Sequence, residues 1–177
     1  DNLALRGPAQ AARVAGRPFT IITTPVEHEA VTVTARQLRD TLGAALRIVP
    51  VDRFGRVEPE SLRAALQGLS PDGITLVSLI YTNNEVGTHN PIAELAAIAH
   101  EHSALVHTDA VQAGGLVPLD VQALGVDMLS LSSHKFYGPK GAGVLFLRDG
   151  TPFLSSQTGA KHEDHRRAGT HNLPGIV

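Results

Sequence analysis

No cysteine occurs among the 177 residues of this chain. Within these residues that excludes a disulfide framework, a thiolate metal site and a cysteine nucleophile. Lysine is nearly as scarce: Lys135, Lys140 and Lys161 are the only three, and the other twelve basic residues are arginines. Guanidinium groups stay protonated and do not form imines, so amine chemistry has three places to reside. No run of about 18 uninterrupted apolar residues occurs, so no transmembrane helix and no membrane partner are expected. A formal charge of −2, with no basic run interleaved with aromatics, argues against nucleic-acid binding. The chain opens Asp1-Asn2-Leu3 without a methionine and reads as a piece that begins inside an element; a cytoplasmic location is the expectation for it.

What is present is ordinary for a globular α/β domain: 42% hydrophobic and 18% charged residues, enough chain to bury one sizeable core. Short β-branched apolar runs alternate with helical patterns, the signature of parallel strands joined by crossover helices. Strands are predicted at residues 19–23, 47–51, 74–80, 104–108, 128–131 and 143–147, several with continuous apolar faces, as strands covered on both sides have. Helices are predicted at 30–42, ending at Gly43, and at 59–69, where Pro59 suits a first turn and Leu62, Ala65, Leu66 and Leu69 recur at spacings of three and four. Asn90-Pro91 opens another, with Ile92, Leu95, Ala96, Ile98 and Ala99 on its inner face. Residues 149–172 read as a long loop rich in Gly, Ser, His and Arg, with a short edge strand at 152–155.

Ligands of open parallel sheets bind beyond the carboxyl ends of the strands. Four polar clusters follow predicted strands: Glu27-His28-Glu29; Asn83-Asn84-Glu85-Val86-Gly87; Asp109-Ala110-Val111-Gln112; and Ser132-Ser133-His134-Lys135. Together they offer an imidazole, a carboxamide, a carboxylate with a second amide, and hydroxyls beside an amine. Pyridoxal phosphate needs such a set: a lysine to hold its aldehyde carbon, an acid at the pyridine nitrogen, donors for its phenolic oxygen and phosphate, and a flat group against the ring. Asp109 is the natural acid, because a protonated ring nitrogen draws electrons from a developing carbanion.

Four stretches carry a more specific likeness: Thr24-Pro25-Val26-Glu27-His28-Glu29-Ala30-Val31, Asn83-Asn84-Glu85-Val86-Gly87-Thr88, His107-Thr108-Asp109-Ala110-Val111-Gln112-Ala113, and Ser132-Ser133-His134-Lys135-Phe136-Tyr137-Gly138-Pro139-Lys140-Gly141. In order and spacing they resemble the motifs of cysteine desulfurases, within the class V aminotransferases. The likeness extends from Asp1-Asn2-Leu3-Ala4-Leu5 to Arg167-Ala168-Gly169-Thr170. It implies most of the large cofactor-binding domain, residues 1–177, of a fold-type-I pyridoxal 5'-phosphate-dependent transferase, a mainly parallel seven-stranded-type sheet between helices. The segment before Asp1 and the small carboxyl-terminal domain would lie outside the chain. By position, it makes Lys135 the Schiff-base lysine and Asp109 the partner of the ring nitrogen. Gln112 would bond the phenolic oxygen, and His28 would stack on the ring and shuttle protons. Ser132 and His134 would hold the phosphate, Asn84 would lie near the phenolic oxygen and the substrate carboxylate, and Thr170 would reach the phosphate of the other subunit of a homodimer.

The reaction so implied takes sulfur from L-cysteine, leaving L-alanine and an enzyme persulfide, then passes the sulfur to an acceptor protein. Iron–sulfur assembly and thiolated nucleosides both stay open as its destination. The persulfide-forming cysteine of the family lies beyond the matched region, and a Gly/Ser-Thr-Glu phosphate turn normally precedes the Asp-Asn-Leu segment. The glycine-rich loop of the family takes the form Gly159-Ala160-Lys161-His162-Glu163-Asp164-His165-Arg166, with two of its three glycines replaced. A selenocysteine lyase, an aminotransferase and a piece that folds without holding cofactor are the competing readings.

Each residue alone has a plainer role. A lysine after serines is usually solvated, an aspartate at a strand end often caps the next helix, and an asparagine such as Asn84 tolerates turns. His162, Glu163, Asp164 and His165 lack the order of a zinc hydrolase and an obvious third ligand, so no metal is expected. Gly138-Pro139-Lys140-Gly141 is too short a glycine loop for a P-loop. The joint placement of the four clusters is what favours a cofactor site.

Overall fold

A computed structural model describes residues 1–159 and 161–177. In chain order the elements are α1 (Asn2–Val14), β1 (Phe19–Thr23), α2 (Glu29–Leu42), β2 (Ala45–Ile48), α3 (Pro59–Ala65), β3 (Ile74–Ile80), α4 (Ile92–Glu101), β4 (Leu105–Asp109), α5 (Val121–Leu124), β5 (Met128–Ser132), β6 (Gly143–Leu147) and α6 (Leu173–Ile176). A single-turn 3₁₀ segment, Ser133–Lys135, follows β5 directly. The strands form one six-stranded sheet in the order β2-β1-β3-β4-β5-β6. All pairings are parallel except β5 with β6, which is antiparallel.

Helices cover both faces. On one, α1 and α2 bury Leu5, Val31 and Leu38 against Ile21, Leu76 and Met128. On the other, α3 with its C-cap Leu66, and α4, bury Leu62, Leu66, Leu95 and Ile98 against Ile22, Val77, Val106 and Leu129. Every residue of the central strand β3 is buried, which is why its sequence is continuously apolar apart from Ser78 and Thr75. The expected mainly parallel α/β sandwich is present. None of its helices among the described residues is long and apolar enough to cross a membrane.

Several boundaries differ from expectation for local reasons. Strand β2 ends at Ile48 instead of continuing to residue 51; Val51 instead bridges Val57, around a turn in which Asp52 Oδ1 accepts the amides of Phe54 and Arg56. Helix α3 stops at Ala65, short of residue 69, where Arg47 of β2 donates to the carbonyls of Ala65 and Gln67. Asn90 does not cap α4. It is buried and braces the core instead, accepting the amide of Val57 and donating to the carbonyl of Ile80, each at 2.9 Å.

Helix α1 and the short α5 and α6 were not anticipated, and residues 152–155 pair with no strand. They run over α1, where Leu154 N donates to Gly7 O at 3.1 Å and the ring of Phe153 lies so close to Gly7 that a Cβ there would meet it at 2.3 Å. Within the loop expected at 149–172, His162 and Arg167 form an isolated antiparallel bridge. Ala160, counted above in the altered glycine-rich loop, lies outside the described residues.

Candidate active site

The strand order decides the site. β1, β3, β4 and β5 are adjacent and parallel, so their carboxyl ends share one edge, and the four polar clusters follow from it. Side chains alternate across a sheet. Extending the face that packs on α1 and α2 from Leu76, Leu105 and Met128 by twos reaches Ser78, His107, Asp109, Ser130 and Ser132. That face is apolar at its base and polar toward the carboxyl edge.

Asp109 ends β4 and is 4% exposed. Its Oδ1 accepts the amide of Val111 at 2.9 Å, the turn that also carries half-buried Gln112. Burial raises the Asp109 carboxyl above its ordinary range, while the Val111 amide, the Asp1 ammonium and, when its ring is charged, His28 draw it back. His28, exposed, caps α2: its Nδ1 accepts the amide of Ala30 at 3.1 Å. With Nδ1 so engaged, the ring's proton resides on Nε2. His28 is near enough to Asp109 for a charge on its ring to act on the carboxyl.

Lys135 follows β5 in the 3₁₀ turn, exposed, one strand over from Asp109, which pairs in register with Ser130. The turn is closed by Ser133, whose amide and hydroxyl both donate to Ala142 O and whose carbonyl accepts the amides of Phe136 and Gly138. Gly138 packs so tightly on it that a Cβ would lie 2.7 Å from Ser133 Cβ. Ser132 Oγ and His134 Nδ1 are 2.8 Å apart, so these two form a pair.

Asn84 and Thr170 are not drawn in. Asn84 sits exposed on the turn between Asn83 and Thr88, and its neighbour Asn83 does the structural work, accepting the amides of Glu85 and Val86 and donating to Val26 O. Thr170 is exposed beyond the His162–Arg167 bridge. A cavity of about 940 Å³ opens beside β5 and β6, lined by Asp1, Ser130, Ser132, Phe153, Arg167 and Asn172. Of the residues assigned above, Ser132 alone lines it, so Asp109, His28 and Lys135 lie outside it. Among the described residues no three His, Cys, Asp or Glu side chains are grouped to hold a metal.

Two functional-looking groups escaped the sequence reading. His107, fully buried, joins three strands: Nδ1 lies 2.9 Å from Ser78 Oγ and Nε2 2.9 Å from Ser130 Oγ. Glu27, treated above as flanking His28, is buried, with Oε1 accepting Thr24 Oγ1 at 2.7 Å and Ile80 N at 3.0 Å. The available signal was a polar residue inside, or just past, an otherwise apolar run.

A mainly parallel sheet with an antiparallel border strand presents a lysine, a buried aspartate and an imidazole along one carboxyl edge, the edge at which α/β domains bind their ligands. The profile of the family Aminotransferase class-V matches residues 2–177, and the chain belongs to that family. Cysteine desulfurase IscS of Dictyoglomus turgidum is 46% identical over all 177 residues of this chain and 43% of its own length. A cysteine desulfurase of Cereibacter sphaeroides is 49% identical over 157 residues, 89% of this chain and 40% of its own. Among solved structures, a NifS-like protein superposes with a TM-score of 0.89 at 40% identity, over 99% of this chain and 47% of its own. SspA in complex with cysteine superposes at 0.88 and 33% identity, over 99% of this chain and 49% of its own. The chain thus spans less than half the length of these relatives.

Proposed function

We propose that this chain supplies most of the large domain of a pyridoxal 5'-phosphate-dependent cysteine desulfurase that works as a homodimer. The observation that carries the reading is Asp109: a buried carboxyl, bonded only at Oδ1 among the described residues and with no lysine or arginine paired to it, one strand from the lysine-bearing turn. A protonated pyridine nitrogen would be a positive partner for such a carboxyl, so the residues present fit the cofactor. Family membership and the cysteine-bound SspA relative support the same class of substrate.

Pyridoxal 5'-phosphate, held through Lys135 Nζ, supplies an electron-accepting ring for carbon–sulfur cleavage in an amino acid. Asp109 would keep the ring nitrogen protonated, and His28 would lie against the ring with its Nε2 proton available. Gln112 would donate to the phenolic oxygen, while Ser132 and His134 would hold the phosphate, with Thr170 serving the partner subunit's phosphate. Asn84 would orient the substrate carboxylate near the phenolic oxygen. Lys135 Nζ would take the α-proton of the substrate. The net change is L-cysteine plus a thiol giving L-alanine plus a persulfide, the thiol coming from outside these residues and the sulfur passing on to an acceptor protein.

The test uses the intact protein. Expected are a visible cofactor absorption band, borohydride fixation of the cofactor at Lys135, loss of both in Lys135→Ala, and alanine release from L-cysteine with a thiol present. Absence of the band overturns the cofactor reading. A band with amino-group transfer to a keto acid, or with cleavage of selenocysteine alone, keeps the cofactor and overturns the desulfurase.

A further inference from the structure

Strand β1 stops at Thr23 while β3 continues to Ile80, so the last amide of β3 on that side, Ile80 N, has no strand to pair with. The side chain of Glu27 takes the place of one: its Oε1 accepts Ile80 N at 3.0 Å, and Thr24 Oγ1 donates to the same oxygen at 2.7 Å. Ile80 is the register partner of Asp109, and the next amide, Tyr81 N, donates to Asp109 O at 2.9 Å. One short stretch of β3 therefore holds Asp109 on one side and, through Glu27, the backbone leading into His28 on the other. The Asn83 Nδ2 bond to Val26 O, 3.1 Å, closes the same segment from the following turn.

Both donors converge on Oε1, and the buried Oε2 has no partner. A neutral acid, with Oε1 as the carbonyl oxygen and the proton on Oε2, leaves one hydroxyl unpaired, a smaller cost than the unsolvated charge that a carboxylate would bury there. The charged group acting on it is Asp109, also an acid; β3 presents only an amide, and among the described residues no lysine or arginine is bonded to it.

We propose that Glu27 is a positioning residue acting as a neutral acid: its Oε1 ties the segment carrying His28 to the amide of Ile80 and so sets His28 against Asp109. The role in the reaction rests on the reading above that His28 and Asp109 flank the cofactor. The geometric claim stands apart from it. Burial pushes the Glu27 carboxyl up to about 8, with the Thr24 and Ile80 bonds opposing and Asp109 adding to the rise.

The test compares Glu27→Gln, Glu27→Ala and Thr24→Val in the intact protein, freed of cofactor, by hydrogen exchange at the Ile80 amide and by the NMR signals of the His28 ring. Gln keeps a neutral carbonyl acceptor and is expected to retain Ile80 protection and the His28 signals. Ala is expected to lose about tenfold in Ile80 protection and to shift His28. Thr24→Val, which removes one brace and keeps the acceptor, is expected to lose severalfold, and it carries the test with Gln should Ala fail to fold. The parent's Ile80 protection is expected to fall as pH rises through about 8, and that of Gln to stay level. Unchanged protection in Ala and Val, or a Gln variant as perturbed as Ala, overturns the proposal. Failure of the parent to bind pyridoxal phosphate would count against the cofactor reading and leave these readouts standing.

Discussion

Ser78 Oγ lies 2.9 Å from Nδ1 of His107, and the other nitrogen of that ring is 2.9 Å from Ser130 Oγ, so one imidazole links β3, β4 and β5 two residues below Asp109. A neutral ring serves both hydroxyls, donating at one nitrogen and accepting at the other. Burial holds the His107 pKa well below its ordinary 6.5. The fold therefore binds fewer protons at this site than the unfolded chain, and its contribution to stability is lost as pH falls below about 6.5. His107→Ala should cost roughly 2–4 kcal/mol, because two buried hydroxyls lose their partner. His107→Gln, which does not titrate, should lose the acid-dependent part, so its stability relative to the parent rises between pH 6.5 and pH 5 in urea melts. Equal pH slopes would contradict a neutral buried histidine.

Glu27 predicts the opposite slope. Its folded pKa of about 8 lies above the ordinary 4.5, so the stability it contributes is complete below 4.5 and is lost as pH rises toward 8. Glu27→Gln should therefore gain on the parent by about 1.4 kcal/mol per pH unit across that window and level off above it. Urea denaturation of both proteins, freed of cofactor, at half-unit intervals measures the difference. A difference independent of pH would mean that the carboxyl is ionised in the fold at neutrality.

The strands whose sequences are largely apolar, β-branched runs between turn signals, β1, β3 and β6, have the residue limits that pattern alone assigns. Edge strand β2 was misplaced because Thr23 O and the Arg47 bonds to α3, both tertiary, decide where it lies. Helix α1 was hidden by Gly7-Pro8, a turn signal in isolation; here Gly7 makes room for Phe153, and Ala4, Ala9 and Ala12 let the helix sit close on the sheet. The clusters after β1, β4 and β5 were legible because a parallel sheet puts strand ends together. The roles of Glu27 and His107 were not, because both depend on register: which amide faces Glu27, and which serines face His107, follow only from pairings between distant segments. Asn84 and Thr170 remain assigned by resemblance alone.

Gly138 tests whether the lysine turn is built for its purpose. Alanine there places Cβ 2.7 Å from Ser133 Cβ and 3.0 Å from Ser133 O, and Ser133 is held by Ala142 and cannot yield without opening the turn. Gly138→Ala should cost about 1–3 kcal/mol of stability. It should also displace Lys135, so that borohydride fixes severalfold less cofactor per chain than in the parent under the same conditions. Full fixation would show that the lysine's position does not depend on this contact.

Asp109→Asn isolates charge from shape. Asparagine keeps an oxygen for the Val111 amide, so the turn carrying Gln112 should persist and cofactor should still bind. If Asp109 faces the ring nitrogen as proposed, the ring nitrogen would lose its proton partner, and turnover of L-cysteine should fall on the order of a hundredfold or more, in kcat more than in KM. The same substitution removes the charge that helps to raise Glu27. The pH at which Ile80 protection falls, and at which the loss of stability levels off, should then move below about 8, toward the ordinary carboxyl range. A lowered turnover with an unmoved Glu27 transition would place the two acids in separate environments; a joint change would show that the segment carrying His28 and the strand end carrying Asp109 belong to one electrostatic unit.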